Sequence, residues 1–234
     1  MDLRVWSEFR YTNGDGSVTK FRVQDCSKNG MDDVVDLYSN FFLRDESLQK
    51  LAGIHNSDDA QKECIGLVKG ILNDENVHIA ICVKAEYGSN GKVIGASGMK
   101  LNSNLNDKLP DITPRTSEVR KLFELLDGMK SMFDVPKNYA VDKYYHGRGI
   151  IVHPDYRGRG VGNALVQSRR KICKANGVPI TSAWMTSIGT QKAAQRSGWE
   201  TAHEINTREF AKKFNVPLYD GIAPTFKLMV GKAE

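Results

Sequence analysis

Cysteine is scarce in this sequence: four residues are spread over 234 positions, and none forms a C-x-x-C pair. This spacing does not fit a disulfide framework or a zinc site, so we expect reduced thiols, no metal and a cytoplasmic location. Long hydrophobic runs are also missing. The longest aliphatic stretches, residues 79–83 and 150–152, are too short to cross a bilayer, and the first ten residues lack the apolar core of a signal peptide. We therefore expect no membrane partner.

The composition favours a folded chain. Hydrophobic residues make up 40% of the sequence and charged residues 26%, which excludes wholesale disorder. A chain of 234 residues is long enough to bury a sizeable core, and it contains no repeat or low-complexity tract. We predict a single domain spanning residues 1–234, present as a monomer.

Positive charge is concentrated in one segment. The net charge is +5, but residues 141–176 alone carry eight Lys and Arg against Asp142 and Asp155. That segment is +6, which leaves −1 for the rest of the chain. A localised basic patch indicates a bound anion rather than diffuse affinity for nucleic acid, so no nucleic-acid partner is expected.

Hydrophobic periodicity and turn residues predict alternating strands and helices. Strands are predicted near residues 4–11, 19–24, 77–83, 92–101, 143–153, 180–184, 199–206 and 225–230. Helices are predicted near residues 31–42, from Ser57 onward, and over 117–133, 160–176 and 189–197. The polar stretch 102–114 carries two prolines and is predicted as a loop. This order indicates a mixed α/β fold.

A glycine-rich turn, RGRGVG, separates the strand near residue 150 from the basic helix that follows. The first N–H groups of a helix have no partner within it, and glycines let a phosphate approach the backbone closely. The turn therefore predicts an anion site. A Walker loop is excluded because GxxxxGK[ST] is absent, and the dinucleotide fingerprint fails because Asn163 stands where its third glycine belongs.

Arg157, Gly160 and Gly162 fill the pattern [Arg/Gln]-x-x-Gly-x-[Gly/Ala]. This resembles the pyrophosphate motif of the GCN5-related N-acetyltransferases (GNAT). The resemblance implies a mixed sheet that is splayed between its fourth and fifth strands, is flanked by helices and takes acetyl-CoA as cosubstrate in the opening. An N–H near Val152 would polarise the thioester carbonyl. The implied cofactor-binding residues are Ile150, Ile151, Val152, Arg157, Gly158, Arg159, Gly160, Val161, Gly162, Asn163, Ser187 and Gln191.

The segment FFLRDESL, residues 41–48, resembles FF-x-x-Asp-Glu-Pro-Leu of the insect arylalkylamine N-acetyltransferases. That resemblance implies that Glu46 is a general base acting through water, and Ser47 stands where the family has proline. The insertion near residues 102–142 also resembles this family. Thr186 and Thr190 occupy the places of two catalytic serines, and helix capping is an equal alternative for both. No tyrosine lies between Thr186 and Trp199 to protonate a leaving thiolate.

The predicted acceptor is a small primary amine. Phe42, Tyr145 and Trp184 are expected to line its pocket, which favours an arylalkylamine such as tyramine, dopamine or serotonin. Acids near the site, Asp45, Asp58 and Asp59, leave open agmatine, a polyamine or another amine. A non-catalytic protein that senses CoA is the alternative from a different class. His153 and His203 are expected to be structural.

Overall fold

The computed structural model describes residues 3–85, 91–103 and 113–234. Eight strands form one sheet in the order β1-β2-β3-β4-β5-β6-β8-β7. Their bounds are β1 Val5–Thr12, β2 Val18–Asp25, β3 Val77–Lys84, β4 Val93–Ser103, β5 Lys143–Val152, β6 Ile180–Met185, β7 Glu200–Asn206 and β8 Thr225–Lys232. The helices are α1 Met31–Leu37, α2 Leu43–Asp45, α3 Ser47–Leu51, α4 Asp58–Leu72, α5 Ser117–Lys130, α6 Val135–Tyr139, α7 Val161–Ala175, α8 Ile188–Arg196 and α9 Thr207–Lys213.

The sheet opens between β5 and β6. These strands run parallel and pair only at Tyr145 with Thr181 and at His146 with Ser182, whereas every other neighbouring pair of strands is antiparallel. Past these pairs the strands separate, and the edge of β5 that faces β6 is left without a strand partner. When β1 at the outer edge is left out of the count, these are the fourth and fifth strands, so the predicted splayed α/β sheet is confirmed.

A bulge in β5 marks the start of the opening. Ser97 pairs with Ile150 and Met99 with Gly147, so two steps along β4 correspond to three along β5. The extra residue is accommodated at Gly149, whose φ of +105° is a conformation that side-chain-bearing residues rarely adopt. The bulge shifts the alternation along β5, so that Ile150 shares a face with Tyr145, whereas Gly149 and Ile151 lie on the opposite face with Phe42.

Helices cover both faces of the sheet. The amphipathic helix α7 buries Val161, Leu165 and Ile172 against one face, where Tyr145 also lies in the core. Helices α3, α4, α5 and α9 pack over the β6–β8 end of the other face, in a cluster that includes Leu51. The opening between β5 and β6 therefore has α7 on one side and the α1–α5 layer on the other.

The predicted strands and the five predicted helices are present, with ends that shift by a few residues. The helix predicted over 31–42 is interrupted, because its backbone widens into a π-helical turn at Tyr38–Phe42 before the short α2. Four short helices, α2, α3, α6 and α9, were not predicted. The predicted loop at 102–114 lies largely outside the described residues, as does the turn preceding Gly91. Within the described ranges, no helix has both the length and the apolar character that a membrane crossing requires.

Candidate active site

The glycine turn is shaped as an anion site. Gly158 and Gly160 have φ values of +77° and +87°, and Gly160 caps α7 without a side-chain hydrogen bond. Intrahelical bonding begins at Ala164, whose N–H donates to the Gly160 carbonyl at 3.0 Å. The N–H groups of the first three helical residues are therefore available to a ligand. A Cβ at Gly162 would meet only Val152 Cγ2, at 3.9 Å, so the space beside it is open.

The two arginines of the turn are held in different directions. Arg157 Nη2 donates to Asp45 Oδ2 at 2.6 Å and its Nε donates to the Val152 carbonyl at 3.2 Å. Arg159 turns toward the β1–β2 hairpin, where its Nη1 donates to Asn13 Oδ1, and its guanidinium lies over the rings of Tyr11 and Tyr156. Arg157 thus links the turn to the segment that precedes Glu46, whereas Arg159 is directed away from it.

The open edge of β5 presents backbone groups to the cleft. The His153 N–H donates to the Ile94 carbonyl at 2.8 Å, so His153, and by alternation Ile151, are bonded toward β4. Val152 and Ile150 therefore direct their N–H and C=O groups toward the opening. Arg157 donates to the Val152 carbonyl, whereas the Val152 N–H is directed into the opening. The structure does not bring the predicted cofactor contact Ile151 to the cleft by its backbone.

Glu46 lies where the α1–α5 layer meets the end of β6. It is the N-cap of α3, with Oε2 accepting from the Gln49 N–H at 3.0 Å, and its Oε1 accepts from the Thr186 hydroxyl at 2.7 Å. Ser47 Oγ donates to the Thr186 carbonyl at 2.9 Å, a bond that a proline at this position could not make. Glu46 and Thr186, predicted from separate motifs, are therefore brought together beside the opening.

Burial raises the pKa of Glu46 above its ordinary value, while the hydrogen bond from Thr186 and backbone N–H groups at the start of α3 act in the opposite direction. Glu46 as a whole is half-buried. A carboxylate in such a place accepts a proton more readily than one in bulk water. The geometry thus places a carboxylate of raised proton affinity beside the opening.

Four other predicted residues have structural partners. Ser187 is the N-cap of α8, and it bonds both the N–H and the hydroxyl of Thr190, at 3.2 and 3.0 Å. This geometry is that of a helix cap, the alternative to catalysis for Thr190. Gln191 is buried and its Nε2 donates to the carbonyls of Met185 and Thr225. The prediction that Gln191 contacts the cofactor is therefore not supported by its position. Asn163, at the start of α7, accepts from Ser197 Oγ at 3.4 Å.

Aromatic side chains line the Glu46 side of the sheet. Phe42 stacks on Tyr38 with ring centroids 4.9 Å apart, and an ideal Cβ at Gly149 would lie 3.2 Å from the Phe42 ring. Trp184 is partly exposed and packs with residues of the same layer. Tyr145 does not join them. It lies in the core beneath α7, on the opposite face, and its hydroxyl accepts from Asn176 Nδ2 at 3.2 Å.

Sequence reasoning assigned no role to His146 and Arg148 on β5. Arg148 is exposed and lies on the Phe42 face, where its Cβ would be 3.4 Å from a Cβ at Gly98. Burial, followed by the charges of Arg148, Arg169 and Lys130, lowers the pKa of His146 to about 3, so this ring is neutral. Alternation along the predicted strand 143–153 would have placed His146 and Arg148 on one face, but the bulge that follows them carries no signal in the sequence.

The two histidines that were expected to be structural have aromatic neighbours. His153 packs edge-on against Phe41, with centroids 4.8 Å apart, and its Nδ1 accepts from the Asp155 N–H. His203 lies between Phe133 and Trp184. Among the described residues, no three His, Cys, Asp or Glu side chains are grouped so that they could hold a metal ion.

Removing the Thr186 hydroxyl should change the pH dependence of the site. Thr186→Val keeps the size of the side chain but loses the bond that favours the ionised form of Glu46, so the Glu46 pKa should rise further. The resemblance of residues 41–48 implies that ionised Glu46 accepts a proton during acetyl transfer, so the acid limb of the pH–rate profile of that reaction should move upward by about one pH unit. Thr190→Ala is the matched control, because its hydroxyl bonds only within the α8 cap. An unmoved acid limb in Thr186→Val, or an equal shift in both variants, would contradict this assignment.

Comparison with known proteins places the fold. The family profile described as "Acetyltransferase (GNAT) domain" matches residues 126–201. The structure resembles that of a protein from the yellow fever mosquito Aedes aegypti provisionally named arylalkylamine N-acetyltransferase 7, with a TM-score of 0.86, 22% identity, and coverage of 100% of this chain and 97% of that chain. It also resembles arylalkylamine N-acetyltransferase 2 from Aedes aegypti, with a TM-score of 0.69, 20% identity, and coverage of 92% and 99%.

A Drosophila melanogaster polyamine N-acetyltransferase, described as forming N-acetylagmatine, has the same fold, with a TM-score of 0.61, 14% identity, and coverage of 91% of this chain and 99% of that chain. No curated protein sequence matches this chain. The chain therefore contains a GNAT domain match and has the GNAT fold along its length, as its glycine turn predicted.

Proposed function

We propose that this protein transfers an acetyl group from acetyl-CoA to a small primary amine, with Glu46 as the general base. The observation that carries the proposal is the placement of Glu46. Its carboxylate has a raised pKa and is bonded to Thr186 at the end of β6. It lies beside the opening between β5 and β6, whose wall leads to the glycine turn. An anion site and a base at one cleft are what acyl transfer from a CoA thioester requires.

Acetyl-CoA fits the residues of the opening. The α7 N–H groups and the space beside Gly162 suit the pyrophosphate, and the basic residues near the turn add positive charge. The Val152 and Ile150 N–H groups, which face the cleft, are placed to bond the pantetheine amides and the thioester carbonyl oxygen. Donors that are already oriented toward an oxyanion stabilise it without further reorganisation.

The base is needed because the acceptor amine is mostly protonated. An alkylamine with a pKa near 10.4 is neutral in on the order of one molecule in a thousand at pH 7. Glu46, through water, takes the proton from the ammonium or from the attacking nitrogen. The amine nitrogen bonds to the carbonyl carbon, the C–S bond breaks, and its electron pair leaves with sulfur. The products are an N-acetylamine and CoA, which is released as thiol or thiolate.

An arylalkylamine is the acceptor that the surroundings of Glu46 favour. Phe42, Tyr38 and Trp184 offer apolar ring surfaces on this side. The acids that could attract a second cationic group of the substrate already have partners. Asp45 is paired with Arg157, and Asp59, in the first turn of α4, lies 3.4 Å from Lys62. Asp58 lies in the same first turn.

Arg148 adds a repulsive contribution against dications. It is exposed on the Phe42 face, and the charge of the nearby carboxylate of Asp74 is compensated by Lys100 at 2.7 Å. A second cationic group on the substrate would be repelled by Arg148, and the Asp74 carboxylate, already paired with Lys100, would not offset that repulsion. Selection by an unfavourable contact with the wrong substrate is a common source of specificity.

A side-by-side amine panel tests the acceptor class. We expect kcat/KM for tyramine to exceed that for agmatine and spermidine by about tenfold or more, and Arg148→Met to narrow this ratio by raising the values for the dications. Histamine, aromatic but with a titratable ring, should lie between them. A dicationic amine preferred by tenfold would overturn the aromatic acceptor and leave acetyl transfer in place. Binding of CoA with no thiol release from acetyl-CoA for any amine would instead support a sensor.

A further inference from the structure

A fully buried guanidinium lies at the closed end of the opening between β5 and β6. Arg169 projects from α7 into the sheet and is 1% exposed. Its Nε donates to Ser97 Oγ at 2.8 Å, and its Nη2 donates to the carbonyls of Gly98 at 3.1 Å and Gly149 at 2.9 Å. All three acceptors belong to the β4–β5 bulge. The third nitrogen, Nη1, is buried and has no hydrogen-bond partner among the described residues.

The charge of Arg169 is not neutralised nearby. No carboxylate in the described part of the chain forms an ion pair with it. Burial lowers its pKa to about 10, which still leaves it cationic at neutral pH. An unpaired buried cation is costly to a fold, and the cost falls when negative charge forms close to it. Such a group is unexpected at a position that serves only packing.

Glycine at position 147 makes room for this guanidinium. A Cβ at Gly147 would lie 2.5 Å from Nη1 and 2.7 Å from the Cβ of Ala183. Gly147 is the first β5 residue past the last β5–β6 pair, and Ala183 is the corresponding residue on β6. The unpartnered nitrogen therefore lies between the two strands where they begin to separate, at the closed end of the cleft.

The bond to Gly149 also orients the neighbouring peptide. Because a trans peptide directs its C=O and N–H in opposite directions, a Gly149 carbonyl turned toward Arg169 leaves the Ile150 N–H pointing away from it. The pairing of β4 with β5 gives the same direction, since Ile151 is bonded toward β4 and Ile150 is not. Arg169 thus holds the bulge in the form that presents the Ile150 N–H to the cleft.

We propose that Arg169 is a positioning residue for acetyl transfer, which fixes the Ile150 N–H toward the opening and stabilises, by its unpaired charge, the negative charge that develops there. This inference rests on the proposed function. Negative charge first forms on the carbonyl oxygen as the amine attacks, and passes to sulfur as the C–S bond breaks. No tyrosine lies between Thr186 and Trp199 to protonate that sulfur. The positive charge of Arg169 would instead stabilise the sulfur as a thiolate.

The pKa of the CoA thiol in the binary complex with CoA tests this directly, by ultraviolet absorbance of the thiolate across a pH titration. In the wild-type complex the thiol pKa should lie below its ordinary value of about 8.5, and Arg169→Met should raise it by about one unit. At neutral pH, kcat for Arg169→Met should fall by about ten- to a hundredfold while KM for acetyl-CoA stays within about threefold. Arg170→Met is the matched control, because the Arg170 guanidinium bonds the carbonyls of Lys232 and Ser197 away from the cleft.

A second variant separates charge from shape. Arg169→Lys keeps the cation but loses the forked bonds, so the thiol pKa should remain that of the wild type while kcat falls through loss of the fixed peptide. If Arg169→Met does not fold, Arg169→Lys alone tests whether the positive charge lowers the pKa of the CoA thiol. A thiol pKa raised in Arg169→Lys would overturn the electrostatic role. A folded Arg169→Met that binds CoA with an unchanged thiol pKa would overturn it as well. Failure of the wild type to bind CoA would overturn the proposed function and this inference together.

Discussion

Glu46→Gln should lower kcat by about a hundredfold or more and remove the acid limb of the pH–rate profile. The glutamine side chain has nearly the same size as glutamate but cannot accept a proton at these pH values. KM for acetyl-CoA should change little, because Glu46 lies in the α1–α5 layer, whereas the glycine turn lies at the start of α7 on the other side of the opening. The measurement is a full pH profile of kcat and of kcat/KM with a saturating amine.

The chain offers a closely matched control in Glu63. Its carboxylate accepts from the Thr116 hydroxyl at 2.7 Å, the distance found between Glu46 and Thr186, and it also accepts backbone N–H groups. Its pKa is lowered, through bonds from Arg115 and Thr116 that exceed the effect of burial. Glu63→Gln should therefore leave kcat and the acid limb unchanged. If Glu46→Gln retains both rate and acid limb, the base lies elsewhere in the cleft.

Gly162→Asp should reduce the affinity for acetyl-CoA by about a hundredfold or more, because a carboxylate beside the α7 N-terminus repels the pyrophosphate. The same substitution should not harm the fold. Its Cβ meets nothing closer than 3.9 Å, and an acidic residue in the first turn of a helix is favourable. We therefore expect weaker binding together with an equal or higher unfolding temperature.

Gly162→Asn is the control for size, since asparagine fills the same space without charge. It should bind acetyl-CoA more tightly than Gly162→Asp by at least tenfold. Calorimetry and thermal unfolding on the two variants decide the assignment, and equal affinities would place the pyrophosphate elsewhere. Gly160 is the less informative position: its φ of +87° strains any residue with a Cβ, so loss of binding there would not separate repulsion from misfolding.

The fold could be predicted from the sequence because it depends on local patterns, and the predicted anion site rests on a pattern of the same kind. Continuous apolar runs, buried on both faces, indicate β3 and β4. The order strand, glycine turn and basic helix indicates the start of α7 without knowledge of any distant contact. The resemblance of residues 41–48 to a segment of the insect arylalkylamine N-acetyltransferases predicts a catalytic role for Glu46. The meeting of Glu46 with Thr186 follows from tertiary packing, which no spacing in the sequence encodes.

The parts that sequence reasoning placed wrongly share one physical cause, the direction of a side chain. Tyr145 lies on β5 as predicted, but the pleat turns it beneath α7, on the face opposite Glu46. Gln191 lies at the start of α8 as predicted, but it is buried and bonds backbone carbonyls. Arg169 reads in the sequence as one more basic residue of the helix, and only the packing of α7 on the bulge reveals that it is buried.

The bond between Thr186 and Glu46 joins residues 140 positions apart, and the Ser47–Thr186 bond next to it spans 139. Contacts of this kind form only after most of the intervening chain is ordered, because closing a long loop must precede them. The hydrogen-bonded pair of Glu46 and Thr186 is thus assembled from the two halves of the molecule, and neither half contains both residues. During refolding, activity should return no earlier than the docking of β6 against the N-terminal layer, well after the individual helices have formed.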